Sequence, residues 1–279
     1  MLFFIKMSVK LTVCIPVYNG AEYLKEAMDS VLSQDFTDLE LIMIDNQSTD
    51  ATVQIIQSYS DPRIKFFQNE TNLGMLGNWN RALTLATGEY IKLLPADDVL
   101  FPGSLKAQVK ILDEDTDQSI ALVTGRRNVI DANGKFLFSR GYSSKTIEEN
   151  GFKAINKVIR MGNNPIGEPG SVMFRRSILP KAGNFDPDIF YVMDLNMWLK
   201  MLLHGNLYSS KDTVCSFRIS PVSESTRIVD TQRRDFDNFI RKIYTNKQYQ
   251  LKTSNYRIGL FNSYVSSQLK KVVYKFVLK

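Results

Sequence analysis

The sequence predicts an α/β protein in which a mostly parallel sheet is flanked by helices, with a helical extension at the C-terminus. Three observations predict it. Through the first hundred residues, short apolar runs rich in β-formers alternate with segments whose apolar residues recur at helical spacing. The runs are continuous rather than alternating, as strands buried on both faces require. Beyond about Arg227 the pattern turns helical and basic. With 279 residues, 44% hydrophobic and 23% charged, the composition fits one large or two small globular domains rather than a disordered chain.

The elements follow in order. LTVCIPV (Leu11–Val17) is the first strand, and AEYLKEAMDSVLS behind it carries Leu24, Ala27, Met28, Val31 and Leu32 on one helical stripe. LELIMID (Leu39–Asp45) is a strand and DATVQIIQSY a helix, with Asp50 its expected N-cap. RIKFFQ (Arg63–Gln68) is the third strand. NLGMLGNWNRALTLATG reads as a helix with Leu76, Trp79, Leu83 and Ala86 on one face, and EYIKLL (Glu89–Leu94) as the fourth strand. This spacing implies right-handed crossovers and a parallel sheet.

Past Pro102 the order loosens. A helix is expected near Ser104–Leu112, then a strand SIALVTG and a hairpin turning at Asp131–Gly134. A helix around Thr146–Met161 leads into the loop NNPIGEPG (Asn163–Gly170) and a strand SVMFR. A helix over Tyr191–Gly205 and a strand pair around Leu207–Ile219 complete the body.

Charge and cysteines narrow the classes. The net charge of +6 is uneven: residues 227–279 hold twelve Lys/Arg against three Asp, or +9, leaving −3 for residues 1–226. Cys14 and Cys215 are far apart in sequence, each in an apolar run, and no metal-type cysteine spacing exists, which suits a reducing cytoplasm. The opening MLFFIKM is too short for a secretory core, and no run approaches the roughly 18 apolar residues of a membrane span. Neither export nor a transmembrane segment is expected.

An open parallel sheet binds ligands at the carboxyl ends of its strands. There the sequence puts Pro16, Tyr18 and Asn19 after the first strand, Asp45 and Asn46 after the second, and Asp97 and Asp98 after the fourth. Taken singly, the first two clusters read equally well as turns or helix caps. The acid pair is harder to dismiss. Pro95 stops the strand, and in extended backbone the two carboxylates point opposite ways, one toward a sugar hydroxyl and the other toward a cation. Their repulsion becomes binding when a divalent metal arrives, and Mg²⁺ or Mn²⁺ takes one or two protein oxygens and fills its shell with water and phosphates. The implied ligand is a diphosphate.

With these residues the chain resembles the inverting nucleotide-sugar glycosyltransferases of family 2, which have the GT-A fold. The resemblance is carried by Val13–Gln34, Leu39–Thr52 and Asn72–Leu100, and more weakly by Gly167–Leu179 and Tyr191–Met201. It implies a glycosyltransferase body over residues 1–226, with a nucleotide-binding half over about 9–100 and an acceptor-side half over about 101–226. It places Pro16, Tyr18, Asp45 and Asn46 at the base and ribose, with Asn19 and Arg81 also counted as substrate-binding. It sets Asp97 near the ribose, Asp98 on a Mn²⁺ or Mg²⁺ bridging the diphosphate, Asp194 as catalytic base, and Gly167 and Glu168 beside the acceptor. The acceptor it implies is a glycan or lipid-linked oligosaccharide, in surface polysaccharide synthesis.

Three departures stand against the pattern: Asn46 and Met193 replace frequent acids, and Pro95 replaces an Asp common in the acid motif. Asn46 can still accept from a pyrimidine N–H, so uracil or thymine is favoured over guanine. Asp194 also has a plain reading as a helix-first-turn acid favoured by the dipole. His204 reads as a C-terminal cap, and Trp79 and Trp198 as core. In the tail, Leu269, Val272, Val273 and Phe276 form a stripe flanked by Lys270, Lys271, Lys275 and Lys279, suited either to an anionic membrane surface or to the protein's own body or a second copy. The rival functions are a non-catalytic partner subunit, a sugar nucleotidyltransferase and a nucleic-acid binder. The last lacks any accompanying signature.

Overall fold

The structure, a computed structural model, describes residues 9–189, 191–221 and 232–277, with side chains to residue 271. The opening MLFFIKM, Arg227 and the side chains of Val272, Val273, Lys275, Phe276 and Lys279 lie outside the described residues. Among the described residues ten strands form one sheet. They are β1 (Leu11–Val17), β2 (Leu39–Asp45), β3 (Ile64–Gln68), β4 (Tyr90–Leu93), β5 (Val99–Leu100), β6 (Ile120–Ile130), β7 (Phe136–Arg140), β8 (Ile147–Glu149), β9 (Val172–Arg175) and β10 (Asn206–Arg218). The order is β3-β2-β1-β4-β9-β6-β10-β5, with β7 on β6 and β8 on β10. The pairs β3–β2, β2–β1, β1–β4 and β6–β10 are parallel, while β9 enters antiparallel between β4 and β6.

Every residue of β1 and β2 is buried. The physical reason is visible in the packing. Val13, Ile15, Leu41 and Met43 face one apolar cluster with α1 (Leu24–Leu32), while Cys14, Ile42 and Ile44 face a second cluster across the sheet. A strand covered on both faces has no polar side to alternate with. Pro16 is tolerated inside β1 because its edge faces β4, whose pairing ends at Cys14 and Leu93, so no ladder donor is missing.

The other helices are α2 (Thr52–Gln57), α3 (Gly74–Leu85), α4 (Ser104–Glu114), α5 (Gly151–Met161), α6 (Leu179–Ala182), α7 (Met193–Leu202), α8 (Gln232–Thr245) and α9 (Thr253–Val277). Four local expectations change. Ile147–Glu149, expected inside a helix, is strand β8 on β10, and Asn150 caps α5 by accepting from the Phe152 and Lys153 N–H groups. The expected strand pair near the C-terminal side of the body is one thirteen-residue strand, β10, with irregular register. Ala51 rather than Asp50 is the N-cap of α2. The Asp50 carboxylate still accepts the Thr52 N–H, and it also accepts that of Ala21, tying two loops together. Asp97 and Asp98 lie in a turn closed by the Asp98 N–H on the Pro95 carbonyl, not in extended backbone.

The two last helices are built into the main core. Phe236, Phe239, Ile240 and Ile243 of α8 join the cluster that holds Trp198 and Leu195 of α7. α9 lies close against α5: a Cβ on Gly259 would overlap the Ile159 carbonyl, and one on Gly162 the Ser263 amide. Only hydrogen in place of a side chain lets these backbones approach so closely. Among the described residues no helix is long and apolar enough to cross a membrane.

Candidate active site

The carboxyl ends of β1, β2 and β4 open on one edge of the sheet, and the loops there are tied to each other. Tyr18 is half exposed at the rim. Asn19, held at φ 50°, accepts the Thr49 N–H through its side chain and donates its own N–H to Ser48 Oγ. Asp45 is fully buried and accepts from the Ser48 N–H and from Gln68 Nε2. These bonds join the β1 and β2 loops into one wall.

Asn46 differs from expectation. Its side-chain oxygen accepts from Asn69 Nδ2 at 2.6 Å and from the Leu73 N–H at 2.9 Å. Its NH₂ donates to Asn72 Oδ1 at 2.8 Å and to the Gly74 carbonyl at 3.2 Å. All four hydrogen-bonding positions of the amide are occupied, so the side chain has none left for a pyrimidine N–H. Asn69 also holds Arg81, whose guanidinium donates to Asn69 Oδ1 at 2.7 Å, so the asparagine network sets where Arg81 stands.

The acid pair sits between β4 and β5. Asp98 is completely buried, and one of its oxygens accepts the Arg218 N–H at 3.1 Å. The other, Oδ2, is buried and has no hydrogen-bond partner among the described residues. Burial, and then the Asp97 charge, push the Asp98 carboxyl well above the usual carboxylate range. Asp97 is partly exposed and is also raised, by burial. A buried carboxylate oxygen without a donor is costly unless a cation or a proton meets it. A hard divalent cation fits that donor: it takes oxygen ligands, and one carboxylate with substrate phosphates and waters fills its shell. Among the described residues no group of three or more His, Cys, Asp or Glu stands ready to cage a metal unaided.

Arg218, which the sequence reading missed, fixes the turn. Its Nε donates to the Asp97 carbonyl at 2.9 Å, one terminal nitrogen reaches the Ala132 carbonyl at 3.1 Å, and the other pairs with Glu26 at 2.5 Å. It also lies over the Tyr23 ring, 4.5 Å from the centroid. Nothing local in FRIS announces a buried arginine whose partners lie between 86 and 192 residues away.

Asp194 stands in the first turn of α7. Its Oδ2 accepts from Asn164 Nδ2 at 2.9 Å and its Oδ1 from the Leu195 N–H at 2.7 Å. Burial and then the charge of Glu168 push the carboxyl up to about 7. Asn164 belongs to the same loop as Gly167 and Gly170. Gly167 has φ 122°, and its carbonyl accepts from Asn164 and from the buried Trp198 indole at 3.0 Å. A Cβ on Gly170 would touch Asp98 Oδ2 at 3.4 Å. One loop thus joins the two raised carboxyls.

Glu168, also in that loop, is held between the guanidinium groups of Arg127 and Arg140. Burial alone would raise its carboxyl, but the two arginines outweigh it and hold it down at about 2. It stays ionised, and Arg127, fully buried, gives its remaining donors to the Asn164 and Pro165 carbonyls. Trp198 is core, as expected. Trp79 is partly buried and meets Phe185 edge-on, and His204 is exposed beside the end of α7.

The family profile described as Glycosyl transferase family 2 matches residues 12–183, more than half of the chain. The chain belongs to glycosyltransferase family 2. Among the relatives of this glycosyltransferase, an uncharacterized glycosyltransferase of Rickettsia typhi is 26% identical over 273 residues, 92% of this chain and 82% of its own. The GalNAc(5)-diNAcBac-PP-undecaprenol beta-1,3-glucosyltransferase of Campylobacter jejuni is 32% identical over 213 residues, 75% of this chain and 64% of its own. Among solved structures, S. aureus TarS 1–349 in complex with UDP superposes with a TM-score of 0.70 at 22% identity, covering 92% of this chain and 72% of that one. The mannosyltransferase PcManGT of Pyrobaculum calidifontis, in complex with GDP-Man and Mn²⁺, gives 0.62 at 16% identity over 98% of this chain and 77% of its own. These neighbours share the fold, a central mostly parallel sheet flanked by helices, of the GT-A type.

Proposed function

We propose that this glycosyltransferase moves a sugar, with inversion, from a UDP- or dTDP-sugar to a hydroxyl of a glycan or lipid-linked oligosaccharide. One observation carries the reading. Asp98, with its unpartnered buried oxygen, and Asp194, with its raised carboxyl, are linked by the single loop Asn164–Gly170. Base and ribose fall to Pro16, Tyr18, Asn19, Asp45, Arg81 and Asp97. Asn46 is the hub that holds Asn69 and the start of α3.

Asp194 is the catalytic base. The acceptor oxygen bonds to the anomeric carbon as the bond from that carbon to the diphosphate oxygen breaks on the opposite face. The hydroxyl proton passes to a carboxylate oxygen of Asp194 as the attacking oxygen becomes acidic. Asn164 and the Leu195 N–H hold that carboxylate in place, and a value near 7 suits a base working near neutral pH. Mn²⁺ or Mg²⁺ on Asp98 supplies, when bound, Lewis-acid stabilisation of the departing diphosphate. Glu168 pairs with both Arg127 and Arg140 at the acceptor wall and leaves a net positive charge there.

The donor reading draws support from TarS, solved with UDP and with UDP-GlcNAc. The lipid-linked acceptor draws support from the Campylobacter relative's name and from α9, where Ile258, Phe261, Val265 and Leu269 form an exposed apolar stripe suited to a membrane surface. α9, within the extension expected over residues 227–279, makes that contact. A panel of nucleotide sugars assayed with Mn²⁺ tests the proposal: UDP or dTDP release that Asp98→Ala abolishes is expected, and a panel with neither turnover nor binding defeats it.

A further inference from the structure

The sequence puts Lys270 on the outer basic flank of the tail helix. The structure turns it the other way. At 100° per residue, Ile258, Phe261, Val265 and Leu269 share one side of α9, whereas Lys270 shares the opposite side with Gly259 and Ser263, which face the body. Lys270 Nζ donates to the Tyr191 hydroxyl at 2.6 Å and lies 5.4 Å from the centre of that ring. Tyr191 in turn donates to Gln232 Oε1 of α8 at 2.8 Å. Tyr191 stands three residues before Asp194, so both C-terminal helices are tied to the segment that leads into the base.

Lys270 is charged, and its hydrogen-bond partner, the Tyr191 hydroxyl, is neutral. Among the described residues no carboxylate lies within ion-pair distance of it, and only one of its three protons is used on Tyr191. Burial pushes its ammonium down to about 8; the charge of Arg140 pushes the same way, and the charges of Glu168 and Asp194 oppose it without outweighing burial. Arg140 carries an unmet donor of its own. Its terminal nitrogen pairs with Glu168, while its Nε is buried with no hydrogen-bond partner among the described residues. Two cations with unused N–H groups, one tied to Tyr191 just before Asp194 and the other to Glu168 in the loop that holds Asp194, match an anion of more than one oxygen.

We propose that Lys270 and Arg140 form a phosphate-binding site of the enzyme, which receives a phosphate or diphosphate of the acceptor. The inference rests on Asp194 being the base, since that puts these cations on the acceptor side. The donor's diphosphate is assigned to Asp98, on the other side of the Asn164–Gly170 loop. A phosphate held here places the attacking hydroxyl at a set distance from its own anionic group, and it stabilises the charged form of Lys270.

The test uses the full-length protein and two probes, geranyl diphosphate against geraniol without metal, and UDP with Mn²⁺, titrated by calorimetry. Wild type should bind the diphosphate at least about tenfold more tightly than the alcohol, the effect of one charge-assisted contact. Lys270→Gln should remove that preference, Lys270→Arg should keep most of it, and UDP affinity should stay the same in all three. A loss confined to UDP would show that the phosphate bound here is the donor's, and would overturn the acceptor assignment. Wild type that prefers the diphosphate no more than the alcohol overturns the site, whatever UDP does. UDP failing to bind while the diphosphate preference holds would count against the donor reading above and leave this one standing. An unchanged melting temperature in Lys270→Gln keeps folding out of the comparison.

Discussion

Asp194→Asn should make the protein more stable and nearly inactive, and the stability gain should appear only as pH rises. Ionising a carboxyl moved from 3.8 to about 7 costs about 4 kcal/mol at 1.36 kcal/mol per step. The side chain is partly exposed, and solvent screening reduces this to about 2–3 kcal/mol. The direction follows from proton binding. The folded state holds the Asp194 proton more tightly than the unfolded state, so this stability is complete below about pH 4 and is lost as pH rises through about 7. Asparagine keeps the shape without the charge. It also breaks one of two contacts, the 2.9 Å bond from Asn164 or the 2.7 Å bond from the Leu195 N–H, at a cost of about 1 kcal/mol. Urea denaturation should therefore find the variant close to wild type at pH 5 and about 1–2 kcal/mol more stable at pH 8. Turnover should fall by about a hundred- to ten-thousand-fold, the range for loss of a general base. A stability difference that does not change with pH would refute the electrostatic argument, and retained turnover would refute the assignment of the base.

In the wild-type enzyme kcat/KM should rise with pH and level off above about 7, because Asp194 must be ionised to take the proton; a profile already flat from pH 5 upward would contradict it. Asp98→Ala removes a buried carboxylate with an unpartnered oxygen, so thermal scanning should show a melting temperature at or above wild type without metal. The same variant should lose the shift that Mn²⁺ and UDP together produce; persistence of the shift would take Asp98 out of the metal site. Arg218→Gln leaves carbonyls of the acid turn and hairpin without their donor and should cost about 2–4 kcal/mol by urea midpoint, whereas a cost under about 0.5 kcal/mol would mean the turn holds without it. The full-length triple variant Phe261→Ser, Val265→Ser, Leu269→Ser should co-sediment less with anionic liposomes at an unchanged melting temperature. Equal binding by wild type and variant would remove the membrane contact. Truncating at residue 226 is a poorer test, because α8 buries Phe236, Phe239 and Ile240 in the common core.

The parallel half of the sheet was legible because covering a strand on both faces leaves a continuous apolar run, as in LTVCIPV and LELIMID. The acid pair stood out for a related reason: two acids in a row directly after such a run are costly to bury, and the structure buries Asp98 completely all the same. The short strand β8 was not, since three residues carry too little periodicity to outweigh the helix that follows them. The role of Asn46 escaped for a different reason. An amide looks the same in sequence whether it faces a ligand or, as here, meets Asn69, Asn72, Leu73 and Gly74.

By itself, then, the sequence determined the strand–helix alternation, the three strand ends that converge and the acids that stand on them, because burial and local backbone preference act over a few residues. Only the tertiary structure decided which groups are charged and which are already partnered. Arg218 reaches Glu26 across 192 residues, Glu168 lies between Arg127 and Arg140, and Lys270 turns inward to Tyr191. Pairing of charges depends on distance through space, and spacing along the chain does not record it.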